Sequence, residues 1–212
     1  MSADALIEGA SPPEKLTTRE RILKAASTVF AEQGVKGATT REIARVAEVN
    51  ETTLFRHFQN KELLLKAVVE QSANTIDEAL TGPGMSNGDL RKDLTYYARV
   101  SNAVLFEKEP IIRMFIGECT RQPDGARQIA CTAWQPVRLK LIDYLKRAQD
   151  NGQVLPHLDP EQTVEVLVSS LMGGMLRRKM VETGFSPEAY LDTVLDVFIR
   201  GISPAQQPEN QE

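Results

Sequence analysis

Residues 39–58 read TTREIARVAEVNETTLFRHF, and this stretch decides the fold. Two short helical periods are joined here by a tight turn near Ala47 to Val49. Helices this short bury too little apolar surface to persist alone. They become stable when packed on each other and on a third helix, as a helix-turn-helix unit. Ile43, Ala44 and Ala47 on the first helix can pack on Val49, Leu54 and Phe58, and the small alanines allow a close crossing. Glu51, Thr52, Thr53, Arg56 and His57 remain outside. They sit toward the N-terminal end of the second helix, the end that enters the major groove in motifs of this kind.

Outward from this stretch the punctuation stays helical. Thr17, Thr39, Asn50, Asn60, Asp159 and Ser186 each precede a run with helical apolar spacing, where a short polar side chain accepts from a free backbone amide. Thr17 with Glu20, and Thr39 with Glu42, have capping-box spacing, while Pro160 and Pro187 stand at first helical positions. The spacing predicts a helix over 18–33, with Ile22, Ala26, Val29 and Phe30 inward and Gly34 as its stop. Short helices follow at Thr40 to Val46 and Asn50 to Phe58, then a longer one from Asn60 to about Leu80. Beyond Gly82-Pro83-Gly84 and Asn87-Gly88, residues 89–118, 125–150, 160–182 and 187–201 read as helices, with Pro136 kinking or splitting its segment. No alternating β pattern appears, so the fold class is all-α.

Composition agrees with an ordinary folded chain. Of 212 residues, 42% are hydrophobic and 25% charged, which excludes disorder, collagen and coiled-coil rods. No stretch approaches the roughly 18 apolar residues of a membrane span, and no signal peptide is evident, so a cytoplasmic protein without a membrane partner is expected. Cys119 and Cys131 then read as packing thiols. Net charge is −4, yet residues 14–66 hold ten basic residues against seven glutamates, an excess of three that leaves −7 on the remainder. A polyanion would therefore dock on the N-terminal quarter.

The run near Thr40 (Thr-x-x-x-Ile-Ala), the turn, Leu54-Phe55-x-His57-Phe58 and the following Lys61-Glu62-x-Leu64 resemble the N-terminal signature of the tetracycline-repressor (TetR) family of bacterial transcription regulators. The resemblance spans about residues 17–66. It implies an N-terminal three-helix DNA-binding domain over 14–62, with the fourth helix continuing to about 80, and a larger helical regulatory and dimerisation domain over 63–202. Residues 1–13 and 203–212 read as a disordered arm and tail. The resemblance implies that Glu51, Thr52, Thr53 and Phe55 lie at or near base edges, that Thr39, Thr40, His57 and Lys61 hold phosphates, and that Arg41 does either. Arg56 belongs to the same surface or is a solvated charge. Three positions depart from the family pattern: Glu48 where the turn often has glycine, Phe55 where tyrosine is frequent, and Glu51 where a basic or neutral residue is common. Glu51 repels phosphates but can accept from a cytosine amino group.

In the C-terminal part, Tyr97, Phe106, Met114 and Phe115, with Cys119, Trp134, Met172 and Met175, either line an effector pocket or fill a helical core. A pocket of these residues would take a hydrophobic or aromatic small molecule. The last two helices are the dimer elements that the resemblance implies. Gly173 and Gly174 interrupt an apolar helix at a cost of about 1 kcal/mol each, which a close backbone approach explains. Leu167, Leu171, Val194, Val197 and Phe198 complete that face, and the same glycines would serve an intrachain crossing equally well. No catalytic constellation, cofactor motif or metal-ligand spacing is found, so no enzyme, cofactor or metal is expected. The reading is a homodimeric, ligand-responsive repressor of a palindromic operator. Its alternative is a helical ligand-binding or adaptor protein whose N-terminal bundle does not read DNA.

Overall fold

The computed structural model describes residues 16–85, 88–121, 123–181, 184 and 186–204. The arm expected over 1–13, and all but the first two residues of the expected tail, lie outside them. The described residues form helices with no strand, in the order α1 (Thr18–Gly37), α2 (Thr40–Val46), α3 (Glu51–His57), α4 (Lys61–Thr81), α5 (Leu90–Glu107), α6 (Glu109–Arg121), α7 (Pro123–Asp150), α8 (Pro160–Met180) and α9 (Pro187–Ile202).

Each helix start expected from a polar residue is made by that residue. Thr17, Thr39 and Asn50 accept from the amides of Glu20, Glu42 and Thr53 at 3.2, 3.1 and 2.7 Å. Asn60, Asp159 and Ser186 accept from those of Leu63, Gln162 and Ala189 at 2.8, 3.0 and 3.1 Å. The capping box at Thr17 is complete, its own amide donating to Glu20 at 2.7 Å. The one expected at Thr39 is only half formed. The Glu42 carboxylate is taken instead by the Arg45 guanidinium, in two bonds of 2.8 Å, because a bidentate charged partner one turn along outcompetes a single backbone amide.

Gly34 breaks the helical path as expected, with φ 71° and ψ 170°, although helical bonding resumes to Gly37. The segment 89–118, expected as one helix, is two. Lys108 separates α5 from α6, since Pro110 lacks the amide that an unbroken helix would need there, whereas the first turn of a new helix needs none. Pro136 does not split its segment, and α7 runs through it.

The chain divides into two compact units. One comprises the chain up to Glu78 together with Ala103–Val137, and the other Ala79–Asn102 together with the chain from Arg138. In the first, α1 packs on α2 and α6, and α2 on α3, around the fully buried Ile22, Phe30, Ile43, Leu54 and Leu64. In the second, α8 packs on α9 around Leu141, Leu145, Leu167 and Met175.

Candidate nucleic-acid interface

The turn between α2 and α3 closes by backbone geometry. Val49 N–H donates to the Ala44 carbonyl at 3.0 Å and Glu48 N–H to that of Arg45 at 3.2 Å, the paired bonds of a Schellman motif. Its left-handed position is occupied by Glu48, with φ 55°, where glycine would be free of Cβ strain. The turn thus has the shape that the family's glycine serves, on a residue that bears it at a cost of about 1 kcal/mol.

Ile43, Ala44, Ala47, Leu54 and Phe58 are buried, and Val49 is half-buried. The opposite side carries Thr39, Arg41, Thr52, Phe55, Arg56 and His57, all exposed, with Thr40, Glu51, Thr53 and Lys61 half-buried. Arg41 and Arg56 make no ion pair among the described residues, so both keep their charge available. Phe55 is 44% exposed on this side.

Two longer-range side-chain links engage residues of this surface within the protein. The Lys61 ammonium donates to the Ala38 carbonyl at 3.1 Å, tying the start of α4 to the segment before α2. The Thr40 hydroxyl donates to the Glu51 carboxylate, joining the first residues of α2 and α3. Neither link is legible from helical periodicity, because each joins residues far apart in sequence. Periodicity also leaves out Arg19, whose guanidinium lies 5.2 Å from the centre of the Phe58 ring, and Arg45, whose hydrogen bonds hold the Glu42 carboxyl below its ordinary range.

The expected pocket residues fall in both units: Phe106, Met114, Phe115, Cys119 and Trp134 in the first, and Tyr97, Met172 and Met175 in the second. Tyr97, Phe115 and Met175 are buried, and the others are half-buried. A surface groove of about 900 Å³ opens in the second unit, lined in part by Leu90, Arg91, Gln153, Ile199 and Ser203, and none of the eight belongs to it. The second unit also holds a polar line that the sequence reading missed. Asp93, Tyr97 and Ser101, successive turns of α5, are 1%, 3% and 2% exposed. The Tyr144 hydroxyl donates to Asp93 at 2.9 Å. Burial pushes the Tyr97 phenol up to about 12 against the opposing bond from Ser101. That of Tyr144 is raised by burial and then by Asp93. The signal was an acid among Leu90, Leu94 and Tyr97 on an apolar face.

Among the expected dimer residues, Leu167, Leu171 and Phe198 are buried within their own chain. A Cβ on Gly174 would meet the Tyr190 ring, so this glycine serves an intrachain crossing of α8 and α9. Gly173 has open space and Val197 is 67% exposed, with Val194 half-buried between core and surface.

No helix among the described residues is long and apolar enough to cross a membrane. Among the same residues no cluster of three metal-ligating side chains occurs.

Residues 22–68 match the family model described as bacterial regulatory proteins, tetR family, and residues 86–198 match a tetracycline-repressor-like C-terminal domain. Over 189 residues the chain is 29% identical to the HTH-type transcriptional regulator YvkB of Bacillus subtilis, covering 88% of this chain and 97% of the relative. It is 22% identical over 196 residues to the HTH-type transcriptional repressor DhaR of a Mycobacterium, covering 92% of this chain and 96% of the relative. The fold is shared with the fatty acid degradation regulator FadR of Bacillus halodurans, at a TM-score of 0.73 and 18% identity over 88% of this chain and 97% of that one.

Proposed function

The chain belongs to the tetR family of bacterial regulatory proteins and is a DNA-binding transcriptional regulator; from that premise we propose that it is a repressor, binding a palindromic operator as a homodimer and released by a small molecule. The observation that carries this reading is the split of the helix-turn-helix into a buried apolar side and a polar side with two uncommitted arginines, Arg41 and Arg56.

In this reading residues 14–62 form the DNA-binding domain and 63–202 the regulatory and dimerisation domain. Glu51, Thr52, Thr53 and Phe55 face base edges. Thr39, His57 and Lys61 meet phosphates, Thr40 does so through its first-turn backbone amide because its hydroxyl is given to Glu51, and Arg41 and Arg56 meet either. An ammonium has three donors, so Lys61 keeps two for phosphate beyond its bond to Ala38. The second copy docks on the side of α8 and α9 that carries Gly173 and Val197, supported by their exposure. A dimer must present its two α3 helices about 34–36 Å apart to reach successive major grooves. An effector with hydrophobic or aromatic character, held by residues of 63–202, acts through its differential affinity for two arrangements of the dimer. A coupling of about 1–3 kcal/mol suffices to change occupancy.

Selection of bound fragments from a random double-stranded DNA library, followed by affinity and stoichiometry on the winner across a salt series, tests this. The expected result is an enriched palindrome holding two chains, with affinity falling steeply as salt rises. No enrichment at any ionic strength overturns it in favour of the adaptor.

A further inference from the structure

Glu51 is the residue on this surface whose chemistry least suits a polyanion, and it is also one whose side chain is held in place. The Thr40 hydroxyl donates to its Oε1 across the gap between α2 and α3. That bond fixes the rotation of the carboxylate and leaves Oε2 with no hydrogen bond among the described residues. One turn along α3 is the exposed Phe55 ring, which carries no donor. Residues four apart share a helix face, so the side chains on this edge of α3 offer an acceptor and an apolar ring and no N–H.

We infer that Glu51, oriented by Thr40, is a specificity-determining residue that selects an amino-bearing base, cytosine or adenine, at one position of each operator half-site. The inference rests on the DNA-reading function proposed above. In the major groove, cytosine presents its N4 amino group and adenine its N6 amino group as donors, whereas guanine presents only the acceptors O6 and N7 and thymine the acceptor O4 with a methyl. A fixed carboxylate oxygen accepts from the first two. Against guanine or thymine it sets acceptor against acceptor and leaves a desolvated charge without a partner. Glu51 thereby gains selectivity by excluding wrong bases, at the expense of repelling nearby phosphates. Thr40 is a positioning residue in this scheme: without its hydroxyl the carboxylate rotates freely and discrimination falls.

The test is the same library selection carried out on the full chain and on the variants Glu51→Ala, Glu51→Gln and Thr40→Val, with affinities then measured on the winning site and on copies changed at one base pair. The wild type is expected to show one cytosine-or-adenine position per half-site, with guanine or thymine there weakening binding about fivefold or more. Glu51→Ala removes the preference at that position while the other positions of the motif persist. Glu51→Gln, which can donate as well as accept, admits guanine and thymine. Thr40→Val narrows the discrimination at the same position without creating a new preference. A motif from Glu51→Ala identical to that of the wild type overturns the inference and leaves the DNA-reading function standing. So does uniform weakening on all sites together with a lower melting temperature, the signature of a purely structural Thr40–Glu51 link. Failure of the wild type to enrich any motif overturns the functional reading itself, and the inference with it.

Discussion

The α2–α3 pair and the α8–α9 pair are both two helices packed together, yet they are held by different means. Helices α2 and α3 have seven residues each, and their stability is concentrated at the ends: Thr39 and Asn50 cap the starts, two Schellman bonds close the turn, and Leu54 anchors the pair from within. Helices α8 and α9, with 21 and 16 residues, are capped at their starts by Asp159 and Ser186 and are in addition fitted along their sides. The Tyr190 ring lies over Gly174 and its hydroxyl donates to the Ser170 carbonyl at 3.1 Å. A short helix has too few turns to be held by packing alone, so its termini must be satisfied by named side chains. A long helix, capped or not, draws most of its stability from the face it packs.

Removing the internal anchor of the short pair is expected to have the largest effect. Leu54→Ala, at a site with no exposed area, should destabilise the first unit by about 2–5 kcal/mol and abolish operator binding. Urea unfolding followed in parallel with a DNA-binding assay checks it, and retained affinity would mean that α3 does not depend on this anchor.

The second unit should reveal itself by its response to alkali. Tyr97 and Tyr144 hold their protons more tightly in the folded chain than an ordinary phenol does. The stabilisation is therefore fully present below the unfolded value near pH 10 and is lost as pH rises above it, by up to about 1.4 kcal/mol per pH unit from Tyr97. Melting temperature measured from pH 8 to 12 should stay level and then fall, and Tyr97→Phe should flatten the fall. A curve unchanged by that substitution would place the alkaline sensitivity elsewhere.

The smallest expected effect sharpens the account of the turn. Glu48→Gly relieves the left-handed strain and should stabilise by about 1 kcal/mol, raising the melting temperature by roughly 2–4 °C. Operator affinity should not change, since Glu48 has no assigned DNA role. A lower melting temperature would show that its side chain contributes more than its backbone costs.

Local rules made much of the first unit legible. A threonine or asparagine ahead of an apolar run forecasts a cap because donor and acceptor lie three residues apart, and the four such forecasts in this unit match the bonds observed, as do those at Asp159 and Ser186 in the second. The same locality failed where partners compete. Glu42 had two candidates within one turn, and its choice of Arg45 over the Thr39 amide depends on side-chain geometry. The break at Lys108 was signalled by Pro110 but hidden by apolar spacing that continues through it.

The sequence by itself determined the helical class, the position of the helix-turn-helix and the inward stripe of α1, because each follows from periodicity and chain-local hydrogen bonds. Only the tertiary structure decided that Thr40 holds Glu51, that Lys61 holds Ala38, and that Gly174 receives Tyr190 while Gly173 stays open. These contacts join residues brought together by packing. Their partners are set by which faces the helices turn toward one another, a choice made by the whole core and not by any one segment.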